Sequence, residues 1–441
     1  MASQFCGHST DSVRDELGEK QPSTDAPNAT IKWSRPRLPA CSPAPVLIES
    51  IATGVPDCMR KQSDTADLVA AHYNSKPEQQ EHIRRIYSKT RIDKRHMAVD
   101  PLSSTFDRHM SIRQRMDLFL EHAAPLAVDV SLRALAGSGV TNPAEEVGLL
   151  VLVTSTGFVA PGIDIAIAKG LQLSASVSRA VVNFMGCAAA MNGLRVAADY
   201  VRCRVGSRAL VCCVELSSVN AVFADNPNDV IISSLFGDGC AAMVVSGISR
   251  GQKHRLQLGQ VIVHDQFCSL VGDTLDGITL GVNHNGITCE LSPKLPSYIY
   301  TGLAPVINKV LSRHGMTKSD VHFWAIHPGG PKIIQESLRA LDLDSRVAAK
   351  SWDALSEFGN MLSVSLPFVL QRMVAAANLE RTNPTGLAFS FAPGVTVEGF
   401  LFEVVNPTSA SALRLVNRPR LGLKTIVVLT LGRLGLRSPR C

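Results

Sequence analysis

One thiol, one imidazole and one carboxamide stand at matched points of this 441-residue chain. Cys187 lies in VVNFMGCAAAMNGLRVAADYV, a small-residue turn between an apolar strand and an amphipathic helix. A thiol at a helix start meets unpaired N–H groups and a dipole that favour the thiolate. His327 closes the apolar run VHFWAIH and is followed by Pro-Gly-Gly. Its ring should stand at a strand's C-terminal edge, where α/β proteins bind ligands. Asn360, in EFGNMLSVSLPFVL, again precedes a helical pattern. Each residue has a plainer use, since cysteines pack in cores, strand histidines are commonly structural and asparagine caps helices. Brought together, they are the set that nucleophilic acyl transfer requires.

A weak internal repeat would bring them together. Thr154, in the apolar strand VGLLVLVTST at 147–156, precedes Cys187 by 33 residues, and His327 precedes Asn360 by the same interval. The order of strand, helix, strand, polar group and helix thus recurs with an offset of 173 residues. Two copies of one unit facing each other across a pseudo-two-fold axis would aim two helix N-termini at one shared site. Around the repeat, a strand at 45–51 and helical patterns at 64–88 and 113–136 continue the alternation, which predicts an α/β body with a largely parallel core sheet.

Composition sets limits on what such a body does. With 45% apolar and 19% charged residues the chain can bury a large core. The net charge of +6 is misleading, because residues 406–441 carry seven Arg or Lys and no acid, which leaves the body at about −1. No basic face remains for nucleic acid. Eleven cysteines without a C-x-x-C spacing suit neither a disulfide framework nor a zinc site, so a reducing, cytoplasmic setting is expected. No apolar run reaches membrane-spanning length, and no signal-like segment opens the chain. Residues 1–45 read as a flexible leader, 46–248 as a first half with the nucleophile, 249–405 as a second half, and 406–441 as an extra basic tail.

The motifs around the three residues resemble those of the type III polyketide synthases, the chalcone synthase superfamily. The likeness runs from Val46 to Val405 through GCAAA, FGDGCAA at 236–242, AIHPGG at 325–330 and GNMLS at 359–363. Through RIDKRHMAVDP, TSTGFVAPG, SSVNAVFAD and GVNHNGITCEL it is most similar to bacterial enzymes that make long-chain alkyl α-pyrones. The resemblance implies a thiolase-like αβαβα fold acting as a homodimer, with coenzyme A thioesters as substrates and no bound cofactor or metal. It implies that Cys187 carries the acyl group and that His327 pairs with it as imidazolium to thiolate. Asn360 and His327 would stabilise the enolate left when malonyl-CoA loses carbon dioxide.

The same resemblance assigns the surroundings. Phe236 matches a gatekeeping phenylalanine, and the second gatekeeper position holds the smaller Cys289. Ser155, Thr156, Ala160 and Ser217 are small at tunnel positions, Ala160 where plant relatives direct a methionine into the partner subunit. Room for an alkyl chain and a fatty acyl-CoA starter is the consequence. Arg85 and Lys89 match contacts to the coenzyme A phosphates, with His82 where relatives carry lysine. The family's GFGPG loop reads Ser390, Phe391, Ala392, Pro393, Gly394, so a methyl group stands beside the cavity where positive φ would strain it. Two rival readings share the residues: a β-ketoacyl synthase III, which condenses once with carrier-protein substrates, and a weakly catalytic acyl-binding homologue.

Overall fold

The computed structural model describes residues 44–72, 77–107, 109–204, 206–221, 227–248, 256–283, 286–376 and 384–406. The leader up to residue 43 and the tail from 407 lie outside them. The first half runs β1 (Val46–Gly54), β2 (Cys58–Lys61), α1 (Gln62–His72), α2 (Pro77–Ser88), β3 (Lys94–Met97), α3 (Ile112–Gly137), α4 (Pro143–Glu146) and β4 (Val147–Thr154). It continues with α5 (Ile163–Gly170), β5 (Ser178–Asn183), α6 (Ala189–Cys203), β6 (Arg208–Glu215), α7 (Pro227–Leu235) and β7 (Gly239–Gly247). The second half holds β8 (Val261–Leu270), β9 (Ile278–Asn283), β10 (Gly286–Leu291), α8 (Leu295–Arg313) and β11 (Phe323–Ile326). It ends with α9 (Pro331–Leu341), α10 (Ala349–Phe358), α11 (Ser365–Ala375), β12 (Thr385–Ala392) and β13 (Thr396–Val404).

Nine strands pair in the order β11-β12-β13-β8-β1-β7-β6-β4-β5. The order mirrors about the short β1–β8 seam at Val46–Ile48 and Val261–Val263. Outward from it, β7, β6 and β4 on one side match β13, β12 and β11 on the other. That symmetry is the internal repeat in three dimensions. The sheet is mixed rather than largely parallel: β4–β5, β4–β6 and β11–β12 are parallel and the other five pairings antiparallel. Each half inserts antiparallel strands between its parallel pair and the seam, a detail that apolar patterning of single strands does not carry.

Both faces of the central strands are apolar because helices cover both. Leu149, Val151 and Val153 of β4 join Met191 and Leu194 of α6 and Val369 and Met373 of α11 in one buried cluster. The alternate Leu150 and Leu152 pack with Phe119 and Val130 of α3 and Ile167 of α5. In the second half, Trp324 and Ile326 of β11 and Leu387 and Phe389 of β12 pack with Ile299 and Leu303 of α8 and Ile334 of α9. The layers are therefore helix, sheet, helix, sheet, helix, with α6 and α11 at the centre. α3 is started by a capping box, in which Ser111 accepts from Gln114 N and the Gln114 side chain accepts from Ser111 N. Among the described residues no helix is long and apolar enough to cross a membrane.

Candidate active site

The two central helices begin alike. Cys187 lies in a 3-10 turn, Gly186–Ala188, that leads into α6, and Asn360 just precedes a 3-10 turn, Leu362–Val364, that leads into α11. Both approaches use left-handed backbone, at Phe184 (φ 55°) and Gly186 (φ 61°) in one and Gly359 (φ 69°) and Leu362 (φ 49°) in the other. Phe184 and Leu362 adopt φ values costly for a residue with a side chain, and such strain persists where the surroundings over-determine it. Glycine at 186 is further required by space, since a Cβ there would lie 2.9 Å from Pro393 Cδ.

Cys187, His327 and Asn360 line one cavity of about 40 Å³ with Gly329, Leu280 and Phe391. The Asn360 carboxamide is fixed at one end, where Oδ1 accepts from Leu362 N at 2.9 Å. The helix-cap reading of Asn360 is thus correct in part. The other end, Nδ2, donates to Gly329 O at 3.3 Å and lies 3.9 Å from Cys187 Sγ. His327 follows β11 directly, held through its backbone by Phe389 O and Gly329 N. Its ring is 1% exposed, and neither ring nitrogen has a protein partner among the described residues.

Burial decides the protonation of these groups. It pushes the Cys187 thiol well above the ordinary range, with Cys289 and Glu215 adding to the rise and the Asn360 hydrogen bond opposing it. It pushes His327 down to about 3. Both directions run against a standing thiolate–imidazolium pair and towards a neutral thiol beside a neutral imidazole.

A second cavity of about 110 Å³ adjoins the first, and Phe236, Leu280, Cys289 and Leu362 line both. Phe236 and Cys289 accordingly stand on the boundary between the two. Ser155, Thr156 and Ser217 line the larger one. Ala160 is exposed ahead of α5 and lines neither cavity of the single chain. Pro393 lines neither and packs on Gly186 instead. Ala392 ends β12 opposite Thr396, and the positive φ of this loop falls at Gly394 and Val395. Arg85 and Lys89 are exposed at the end of α2 and beyond it, with no ion pair among the described residues. Tyr87, between them, faces inward and lines the larger cavity.

Sequence reasoning missed Glu215. At the end of β6, fully buried, it accepts from Ser155 N at 2.8 Å, from Thr156 Oγ1 at 2.9 Å and from Ser363 Oγ. One carboxyl so joins the loop after β4 to the turn after Asn360, and burial raises it to about 7. A glutamate at the end of an apolar strand, VCCVELSS, was the available signal. Arg95, on β3 beyond the end of α2, is likewise buried.

The fold is of the thiolase type, and comparison with known proteins gives the class. Residues 34–248 match the N-terminal domain of the chalcone and stilbene synthases and residues 263–406 match the C-terminal domain. The chain belongs to that family, the type III polyketide synthases, and is a transferase catalysing decarboxylative condensation. It is 57% identical to the alpha-pyrone synthesis polyketide synthase-like protein Pks18 of Mycobacterium tuberculosis, over 84% of this chain and 94% of that one. It is 30% identical to type III polyketide synthase B of Arabidopsis thaliana, over 66% of this chain and 75% of that one. The crystal structure of PKS-I from the brown alga Ectocarpus siliculosus superposes with a TM-score of 0.76 at 39% identity, covering 83% of this chain and all of that one.

Proposed function

We propose that this chain loads a medium- or long-chain acyl group from coenzyme A onto Cys187, extends it with malonyl-CoA and releases an alkyl α-pyrone. The observation that carries the reading is the convergence of Cys187, His327 and Asn360 on one small cavity that continues, past Phe236 and Cys289, into a larger one. Loading begins with Sγ attack on the acyl carbonyl carbon. The neutral His327 ring takes the thiol proton as the C–S bond forms and returns it to the departing coenzyme A thiolate. Burial lowers the proton affinity of the imidazole, which favours the neutral ring that can act as a base.

Malonyl-CoA then enters with its thioester oxygen between Asn360 Nδ2 and a His327 N–H. Donors placed there stabilise the enolate oxygen as the C–C bond to the carboxylate breaks and carbon dioxide leaves. The enolate carbon attacks the Cys187 thioester, and the lengthened chain, now on coenzyme A, returns to the cysteine for the next round. Closure by an enol oxygen on the thioester carbon expels the Cys187 thiol and gives the lactone. The larger cavity has room for what the smaller cannot hold, so the alkyl chain lies beyond Phe236. Arg85 and Lys89, cations without an ion pair among the described residues, stand on the outer side of the same helix region and serve the coenzyme A phosphates.

A homodimer completes the proposal. β5 is an edge strand with Val181 52% exposed, and Phe158 and Met185 nearby are also exposed apolar groups. An uncovered apolar edge of this kind needs a partner, and Ala160, ahead of α5, is exposed as well. Mass analysis of products from an acyl-CoA length series with malonyl-CoA tests the reading. Alkyl pyrones from long starters are expected. A single β-ketoacyl product, or a strict need for carrier protein, would rule it out.

A further inference from the structure

Arg95, on β3, is 1% exposed and has no carboxylate partner within ion-pair distance among the described residues. Its guanidinium instead collects main-chain carbonyls. Nη1 donates to Ser233 O and, at 2.7 Å, to Phe236 O, while Nε donates to Gln62 Oε1 at 2.9 Å. Gln62 in turn donates through Nε2 to Ser234 O at 2.7 Å and to Thr90 Oγ1 at 3.0 Å. The two side chains thus satisfy three carbonyls around the end of α7, which have no partner within the helix, and a cation suits that pole of the helix dipole.

The C-terminal end of α7 abuts the active site. Leu235 O accepts from Asn360 N at 2.8 Å and Asn360 O accepts from Gly237 N at 3.0 Å, so Phe236 and Asn360 are bridged backbone to backbone. The aliphatic stem of Arg95 fills the space beside this bridge. A Cβ at Gly359, where φ is +69°, would lie 2.9 Å from Arg95 Cδ and 2.6 Å from Leu235 O. One residue therefore holds the boundary phenylalanine from one half of the chain and buttresses the carboxamide turn from the other. Cys187 and its turn have no contact with it in this network.

We propose that Arg95 is a positioning residue for the condensing step, setting Phe236 and Asn360 in register so that the Asn360 amide meets the malonyl thioester oxygen. The proposal rests on the function proposed above. It predicts a division of labour: loss of Arg95 harms enolate formation and spares loading of Cys187. A lysine cannot substitute, because one ammonium on a flexible stem does not reproduce the planar fork that serves Ser233, Phe236 and Gln62 at once.

The test uses the full chain and three readouts on Arg95→Lys. Malonyl-CoA decarboxylation should fall at least tenfold in kcat with KM within about threefold, while acylation of Cys187, followed by intact mass, stays within about twofold. Amide hydrogen exchange in peptides covering 233–237 and 358–362 should quicken about tenfold, and exchange across 184–190 should not. Equal losses in loading and decarboxylation, unchanged decarboxylation, or unchanged exchange each overturn the proposal. If Arg95→Lys does not fold, Gln62→Met, which leaves the guanidinium in place without its Oε1 anchor, should show the same split at about threefold, and equal changes overturn it. Wild-type protein that releases no carbon dioxide from malonyl-CoA would overturn the proposed function instead, and the exchange experiment would still decide whether Arg95 holds the bridge.

Discussion

The turn carrying Cys187 and the turn carrying Asn360 are two copies of one backbone device put to different uses. Both enter their helices through left-handed residues and a 3-10 turn, and both lie at the end of a central helix between the sheets. They differ in what satisfies them. The nucleophile turn is held from its own half, with Gly186 N donating to Ser155 Oγ at 3.1 Å. The carboxamide turn is held from the opposite half, through Leu235 O and Gly237 N and through Ser363 on Glu215. Duplication supplied a pair of helix starts, and cross-connection made the pair asymmetric: under the proposed function, one side carries the acyl group and the other handles the malonyl group. Two sites whose supports differ, apart from the shared Glu215, can be separated by mutation.

The largest effect should come from Cys187→Ala. Covalent acyl-enzyme should disappear and pyrone formation fall by about a thousandfold or more, since Cys187 is the thiol that Asn360 Nδ2 approaches at the start of α6. Mass spectrometry of the protein after incubation with a fatty acyl-CoA checks this, and an acylated variant would sink the assignment. Asn360→Ala should do the converse, leaving acylation near normal and lowering decarboxylation by about 10²–10³, the usual cost of one oxyanion donor. Equal losses of both activities in Asn360→Ala would merge the two turns into a single functional unit.

Glu215 joins the two turns, and pH reads that joint. Its folded value of about 7 lies above the ordinary 4.5, so across that window the native state keeps a proton that the unfolded chain releases. Stability should therefore fall as pH rises from about 4.5 to about 7, by on the order of 3 kcal/mol, and level off above. Glu215→Gln, which cannot titrate, should lose that slope in urea unfolding series at the two pH values. His327 acts with opposite sign, its folded value of about 3 lying below 6.5, so acidification from 6.5 costs stability in the native chain. His327→Gln should remove that acid-side loss, about 2 kcal/mol between pH 6.5 and about pH 5. A slope unchanged in Glu215→Gln would mean that the carboxyl is ionised when folded.

The legibility of the site in sequence depends on the range of each interaction. Thr154, Cys187, His327 and Asn360 can be paired because the repeat leaves a constant spacing in sequence, and apolar strands flank each of them. Phe236 and Cys289 can be set on the boundary only through family resemblance, since nothing local distinguishes a boundary phenylalanine from a core one. Strand direction escapes sequence patterning because β7 and β13 read as ordinary buried strands and their reversal is fixed by pairing. Arg95 and Glu215 are hidden for a related reason: their partners lie 138 and 148 residues away, at Ser233 and Ser363. Burial moves Cys187 and His327 away from the ion pair that the resemblance implies, and patterning of single positions does not measure burial.

A finer comparison concerns the passage between the cavities, where Phe236 comes from the cross-braced side and Cys289 from the β9–β10 hairpin. Cys289→Phe would place two large rings at one constriction. Long starters should suffer and short ones should not, with selectivity falling roughly fourfold for each methylene excluded, the equivalent of about 0.8 kcal/mol. Relative kcat/KM across the acyl-CoA series measures it. A uniform drop for all lengths would show that the alkyl chain does not pass Cys289.

The smallest effect should belong to Ala392→Gly, although the sequence singles this position out as a departure beside the nucleophile turn. Strain at Ala392 would require positive φ, and the left-handed residues of the loop are Gly394 at 73° and Val395 at 34°. Ala392 itself is an extended strand residue, paired with Thr396 and 1% exposed, a setting that Ala tolerates before proline. Restoring glycine relieves nothing there and adds backbone freedom to the unfolded chain, so a loss of about 0.5–1 kcal/mol in stability is expected with rate and product profile unchanged. A gain in rate, or a shift in product length, would show that the methyl group shapes the cavity through Pro393 and Gly186, and that the nucleophile turn is less self-contained than its hydrogen bonds make it.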